Sequence, residues 1–137
     1  MLSSEKGNAV AELQVPATLY KPADQAAIGT FVQTYLGDAT PDVIITGRSG
    51  DAANDAALNA LEDELFAGKP VVGFKHLSGE FPTASAFAMW MAVQLLRTQQ
   101  IPEVVLLKGA AATSFKNILI VNQYRGTHYS AMLVKAC

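Results

Sequence analysis

The sequence predicts an α/β domain on a mixed sheet of about five strands, mostly parallel, that finishes in an antiparallel hairpin. Two observations carry this. Short apolar runs alternate with helix-like segments, which implies βαβ units. The last stretch, "NILIVNQYRGTHYSAMLVKAC", reads as two strands about a turn at Arg125-Gly126.

Val10 to Tyr20 mixes β-branched, apolar and polar residues, and Lys21-Pro22 closes it, which suits a first strand and a turn. From Asp24 the period changes. Ile28, Phe31, Val32, Tyr35 and Leu36 share one helical face, with Asp24 as the N-cap and Gly37 as the terminator. Val43-Ile44-Ile45 is an unbroken apolar run of the kind covered on both faces of a sheet. A second helix follows with Ala57, Leu58, Leu61 and Leu65 inward, Glu62, Asp63 and Glu64 turned to water, and Gly68 at its end. Val71 to Phe74 makes another strand. Ala84 to Leu96, "ASAFAMWMAVQLL", is a helix without a wet face, because Ser85 and Gln94 point to opposite sides. "VVLLKG" after Ile101-Pro102 is a short strand or an extended arm.

At 137 residues, 50% hydrophobic and 16% charged, the chain implies one globular domain over residues 1–137 with a sizeable core. A formal charge of -2 and the lack of any Lys/Arg block argue against nucleic acid as a partner. Cys137 is the lone cysteine, so an intramolecular disulfide is impossible and a cysteine-based zinc site is disfavoured. His76 and His128 lack ligand spacing, and neither a metal nor a cofactor is expected. "MLSSEKGNAV" has no signal-peptide core, and the longest apolar run, Ala86 to Val93, is too short to cross a bilayer. The expectation is a soluble cytoplasmic protein with no membrane partner.

"VIITGRSGDAAND" runs a strand through a glycine turn into a helix, the place where α/β proteins build sites. Ser49 lacks the Gly-x-Ser-x-Gly frame of a nucleophile elbow, because Asp51 stands in the last glycine's place. Asp51 reads as a helix cap and Arg48 as an exposed loop residue that can edge a polar pocket. Lys75 and Glu80 close the next strand and its loop, and reach the same turn if strand ends align.

Four motifs together resemble the C-terminal half of a β-ketoacyl-acyl-carrier-protein synthase, a thiolase-fold condensing enzyme. "GRSGDAAND" is similar to the family's His-Gly-Thr-Gly-Thr-x-x-Asn-Asp, keeping Gly50, Asn54 and Asp55, with Gly47 where the first catalytic histidine belongs. "KHLSGEFPTASAFAMW" is similar to its Lys-Ser-x-x-Gly-His and following apolar helix, keeping Lys75 and Gly79, with Glu80 replacing the second histidine. "QQIPEV" matches an Ile-Pro segment. "NQYRGTHYSAMLV" matches a shortened glycine-rich turn that retains Asn122, Gly126 and Thr127, with His128 near the asparagine.

The resemblance implies a thiolase-like half with three α/β/α layers. It also implies a degenerate site at Gly47, Arg48, Asn54, Asp55, Lys75, Glu80 and His128 with no catalytic residue. Glycine cannot donate a side-chain hydrogen bond to a developing enolate oxygen, and an ionised glutamate opposes negative charge there. The expectation is a non-catalytic or chain-length-factor-like partner in fatty-acid or polyketide synthesis. One alternative is the C-terminal half of an active enzyme completed by a separate Cys-bearing half. Another is an acyl or aromatic ligand module around Arg48, Lys75 and Glu80. Expected partners are a second copy, a ketosynthase-like chain or an acyl carrier protein. Their interface would be the apolar helix through Ala84, Phe87, Ala88, Trp90, Met91, Ala92 and Leu95, because leaving its second face wet costs about 1.5–3 kcal/mol per large side chain.

Overall fold

The computed structural model describes residues 2–5 and 7–137; Met1 and Lys6, part of the opening stretch read above, lie outside them. In chain order the elements are β1 (Ala11–Leu13), β2 (Ala17–Tyr20), α1 (Gln25–Leu36), β3 (Val43–Thr46), α2 (Ala52–Leu65), β4 (Val71–Gly73), α3 (Lys75–Ser78) and α4 (Ala84–Thr98). A 3₁₀ turn at Glu103–Val105 then leads into β5 (Leu106–Lys108), β6 (Asn117–Tyr124) and β7 (His128–Ala136). The sheet order is β1-β7-β6-β3-β4-β5, with β2 also on β7.

The period-2 geometry of strands sorts the apolar residues onto two faces. Val43, Ile45, Val72, Ile118, Ile120, Met132 and Val134 pack with Ala84, Ala88, Met91, Ala92, Leu95 and Leu96 of α4. Their neighbours Ile44, Val71, Leu119, Val121, Ala131 and Leu133 pack with Ile28 and Val32 of α1 and Leu58 and Leu61 of α2. One α/β sheet therefore carries helices on both faces.

Several local expectations hold. Asp24 accepts the Ala27 N–H at 2.8 Å to start α1, and Gly37 ends it at φ 55°. Asp51 accepts from Ala53 and Asn54 to start α2. The hairpin turns at Arg125-Gly126 between β6 and β7.

Other expectations are corrected. Among the described residues the sheet has seven strands, and only the pairings of β3 with β4 and with β6 are parallel, so it is mixed without being mostly parallel. β1, β2 and β6 all run antiparallel to β7, and β5 runs antiparallel to β4. The single strand expected over Val10 to Tyr20 divides in two around Gln14-Val15-Pro16, where proline has no N–H to offer a ladder. Glu62 does not face water: it is 3% exposed. α4 has a wet side after all, through Ala86, Trp90 and Arg97.

The break between β1 and β2 leaves the Leu133 N–H without a strand partner, and the Tyr35 hydroxyl accepts it at 2.9 Å. Burial raises the Tyr35 pKa above its ordinary value, a shift the Leu133 hydrogen bond partly opposes, so the phenol stays protonated near neutral pH. Tyr35→Phe strands a buried amide donor. It is expected to lower stability by about 1–3 kcal/mol, seen as a lower urea midpoint at unchanged slope. An unmoved midpoint would show that the hydroxyl is dispensable.

Candidate functional site

β6 outruns its neighbour. Thr46 at the end of β3 pairs with Val121, and Asn122, Gln123 and Tyr124 continue beyond it, over the Gly47–Asp51 loop and the start of α3. Loop residues and strand-end polar groups therefore meet at one end of the sheet.

Gly47 lies against β6 so closely that an added Cβ would stand 2.0 Å from Asn122 Oδ1 and 2.7 Å from Asn122 Cα. No side chain fits there. Its N–H donates to the Val121 carbonyl at 2.8 Å. Among the described residues, Asn122 Oδ1 is itself buried without a hydrogen-bond partner, as is Thr46 Oγ1.

Asp55, buried on the first turn of α2, holds the loop. Its carboxylate accepts the Ser49 and Gly50 N–H groups at 2.8 Å each and the Ser49 hydroxyl at 3.2 Å. Gln123 joins this arrangement from β6. Its side-chain amide donates to Asp55 at 3.4 Å, its Oε1 accepts the Gly126 N–H at 2.9 Å, and its backbone carbonyl accepts Lys75 Nζ at 2.7 Å. Lys75, also buried, reaches Glu80 at 3.2 Å. Asn54 packs its side chain beneath Gly126, where an added Cβ would meet Asn54 Oδ1 at 3.2 Å.

Arg48 turns away from this group. Its guanidinium donates to Asn59 and lies 3.7 Å from Glu62, whose other oxygen is 3.0 Å from Lys108 Nζ. It is thus no exposed pocket edge. His128 also stands apart, exposed on the hairpin, with Thr127 Oγ1 at 3.0 Å and the Tyr20 ring centroid at 4.5 Å.

The structure thus brings Gly47, Asn54, Asp55, Lys75 and Glu80 to one strand end and leaves Arg48 and His128 outside. Sequence reasoning missed Gln123, the residue that joins the two halves; a glutamine inside the apolar run "NILIVNQY" was the available signal. Chemically, the arrangement is closed. The Ser49 hydroxyl contacts a carboxylate but no imidazole, and the Lys75 amine already serves two acceptors. Among the described residues no group of three His, Cys, Asp or Glu side chains could hold a metal ion, and no helix is long and apolar enough to cross a membrane.

No family model matches the chain, and no curated protein matches it. Among solved structures, it is similar to a chain of the complex described as AntDE:AntF (apo), a type II PKS acyl-carrier protein in complex with its ketosynthase bound to the hexaketide. The TM-score is 0.72 at 17% identity, over 89% of this chain and 37% of that one, so the chain spans little more than a third of the solved chain's length. At that identity the likeness shows the fold alone.

The resemblance to a condensing enzyme, and the degenerate ketosynthase-like function drawn from it, are corrected here. The similar structure is described by an acyl-carrier protein with its ketosynthase, no ketosynthase model matches, and fold alone is shared. Physically, the first motif is what a tight strand-to-helix turn demands: Gly47, standing in place of the family's histidine, is required by the approach of β6, and Asp55 by the loop amides.

Proposed function

We propose that this chain is a protein-binding module that works beside an acyl-carrier protein in polyketide assembly, and that it binds through the outer side of α4. The observation that carries the reading is Trp90, 56% exposed on the outer side of α4. It borders a groove of about 1260 Å³ between residues 2–5 and 7–13 on one side and α4 on the other, lined among others by Leu2, Val10, Leu13, Val93 and Arg97. Ser3, Glu5, Glu12 and Gln94 share the lining, and an exposed tryptophan within such a mixed apolar and polar surface is the composition of protein interfaces. Of the expected interface, Ala84, Ala88, Met91, Ala92 and Leu95 are buried against the chain's own sheet, so Phe87 and Trp90 remain to meet a partner. The polyketide setting is supported by the complex to which the similar solved chain belongs.

The reading carries with it a three-layer, thiolase-like arrangement in one domain over residues 1–137, supported by the helices on both sheet faces. A cytoplasmic location is part of it, supported by the single cysteine.

Trp90 is the chain's one tryptophan, so its emission reports on this face directly. Titration with a type II polyketide acyl-carrier protein is expected to shift the emission to shorter wavelength and saturate; calorimetry, which needs no tryptophan, is expected to show Trp90→Ala binding at least tenfold more weakly. A shift that tracks the concentration of the chain alone would assign the face to a second copy and remove the carrier protein. Emission indifferent to both would end the proposal.

A further inference from the structure

At the other end of β7, away from the Trp90 groove, Tyr20, His128 and Tyr124 stand directly opposite one another on three neighbouring strands. Residues in register share a face, so the three rings form one row across the sheet. Tyr20 and His128 centroids are 4.5 Å apart, and those of Tyr124 and His128 are 6.5 Å apart. The row is capped by two cations. Lys21 Nζ lies 5.2 Å from the Tyr20 centroid, and the Arg125 guanidinium carbon 5.2 Å from the Tyr124 centroid.

Both cations sit on left-handed backbone, at φ 47° for Lys21 and 53° for Arg125, a conformation that bulky residues adopt at a cost. The Lys21 N–H donates to the Thr127 carbonyl at 2.8 Å and locks the two turns together. Among the described residues, neither cation forms an ion pair. The nearest carboxylate in sequence, Asp24, accepts the Ala27 N–H to cap α1.

We propose that this hairpin tip is a docking surface for an acidic protein helix, with Lys21 and Arg125 each taking a carboxylate and the ring row lying beneath the helix. Charge complementarity picks the partner: two cations, both on tyrosine faces and both without an internal counter-ion, meet negative charge with little desolvation cost. A helix suits the ring row. Two strand gaps set Tyr20 and Tyr124 about 10 Å apart, and residues i and i+7 of an α-helix, also about 10 Å apart along its axis, can rest over the two ends of the row.

The test uses a synthetic helical peptide with glutamates at i and i+7, its glutamine counterpart and a single-stranded oligonucleotide, each titrated into the ¹⁵N-labelled chain. The glutamate peptide is expected to move the amides of Tyr20, Lys21 and Tyr124 to His128, with affinity falling as salt rises. Lys21→Asn with Arg125→Asn should weaken it at least tenfold while leaving the melting temperature in place, because asparagine tolerates left-handed backbone. Binding of the double variant within twofold of the parent, equal binding of the glutamine peptide, or tighter binding of the oligonucleotide would each overturn the proposal. None of these outcomes depends on what occupies the Trp90 groove.

Discussion

Asp55→Asn is expected to destabilise the chain by about 3 kcal/mol, although the side chain keeps its size. The carboxylate presents acceptors on both oxygens, one to Ser49 N–H and one to Gly50 N–H, each at 2.8 Å. An asparagine offers one acceptor and one donor, so whichever way its amide turns, an N–H faces another N–H. Charge-assisted bonds contribute about 1.5–3 kcal/mol each, and one is lost outright while the other becomes neutral. The Gln123 contact at 3.4 Å is long and adds less. Against a total stability of about 5–15 kcal/mol for a domain of this kind, the loss is large. Denaturant midpoints measure it, and amide exchange locates it: Ser49 and Gly50 should lose protection before the β3 amides do. Equal protection in parent and variant would mean that the loop is held by its backbone alone.

Much of the fold was legible because it is decided locally. Asp24 and Gly37 bracket a helical period, and capping depends on residues within one turn. Val43 to Ile45 shows an apolar run that only a doubly covered strand needs. What escaped depends on distant partners. The direction of the flanking strands is set by β7, at the far end of the chain from β1 and β2, and no local pattern encodes it. Glu62 sits in an acidic triplet that reads as a wet face; its burial follows from Lys108, on β5. The site divides in the same way. The proximity of Lys75 and Glu80 was readable from a strand end and its loop. That Lys75 also donates to Gln123, which in turn meets Asp55, needed β6 in place. Motif likeness misled for a related reason: glycines and aspartates at a strand-to-helix turn are demanded by backbone geometry, and sharing them says little about chemistry.

Lys108→Met is expected to cost about 2–4 kcal/mol, and the double variant Lys108→Met with Glu62→Leu to recover most of it. Glu62 is 3% exposed, with Lys108 at 3.0 Å and Arg48 at 3.7 Å. Removing the lysine leaves a buried carboxylate with only the longer contact, the situation in which a broken buried pair costs about 3–5 kcal/mol. The lower estimate here follows from Lys108, whose side chain is 32% exposed and lets water reach the pair. Asp63, 72% exposed at 2.9 Å, adds little, as surface pairs generally do. Removing both charges relieves the stranded carboxylate, leaves Arg48 with Asn59 alone, and puts an apolar contact on α2 near Leu58 and Leu61, so the two substitutions must fail to add. The alkaline limb checks the same pair from another side. Burial disfavours the charged amine, but Asp63 and Glu62 outweigh it and raise the Lys108 pKa above its ordinary 10.5. Stability from a raised cation is complete below the unfolded value and is lost as pH climbs through the folded one. The parent should therefore lose its advantage over Lys108→Met only above pH 10.5. A cycle that closes additively, or a gap between the two proteins that does not narrow at high pH, would show that Glu62 is held by Arg48 alone.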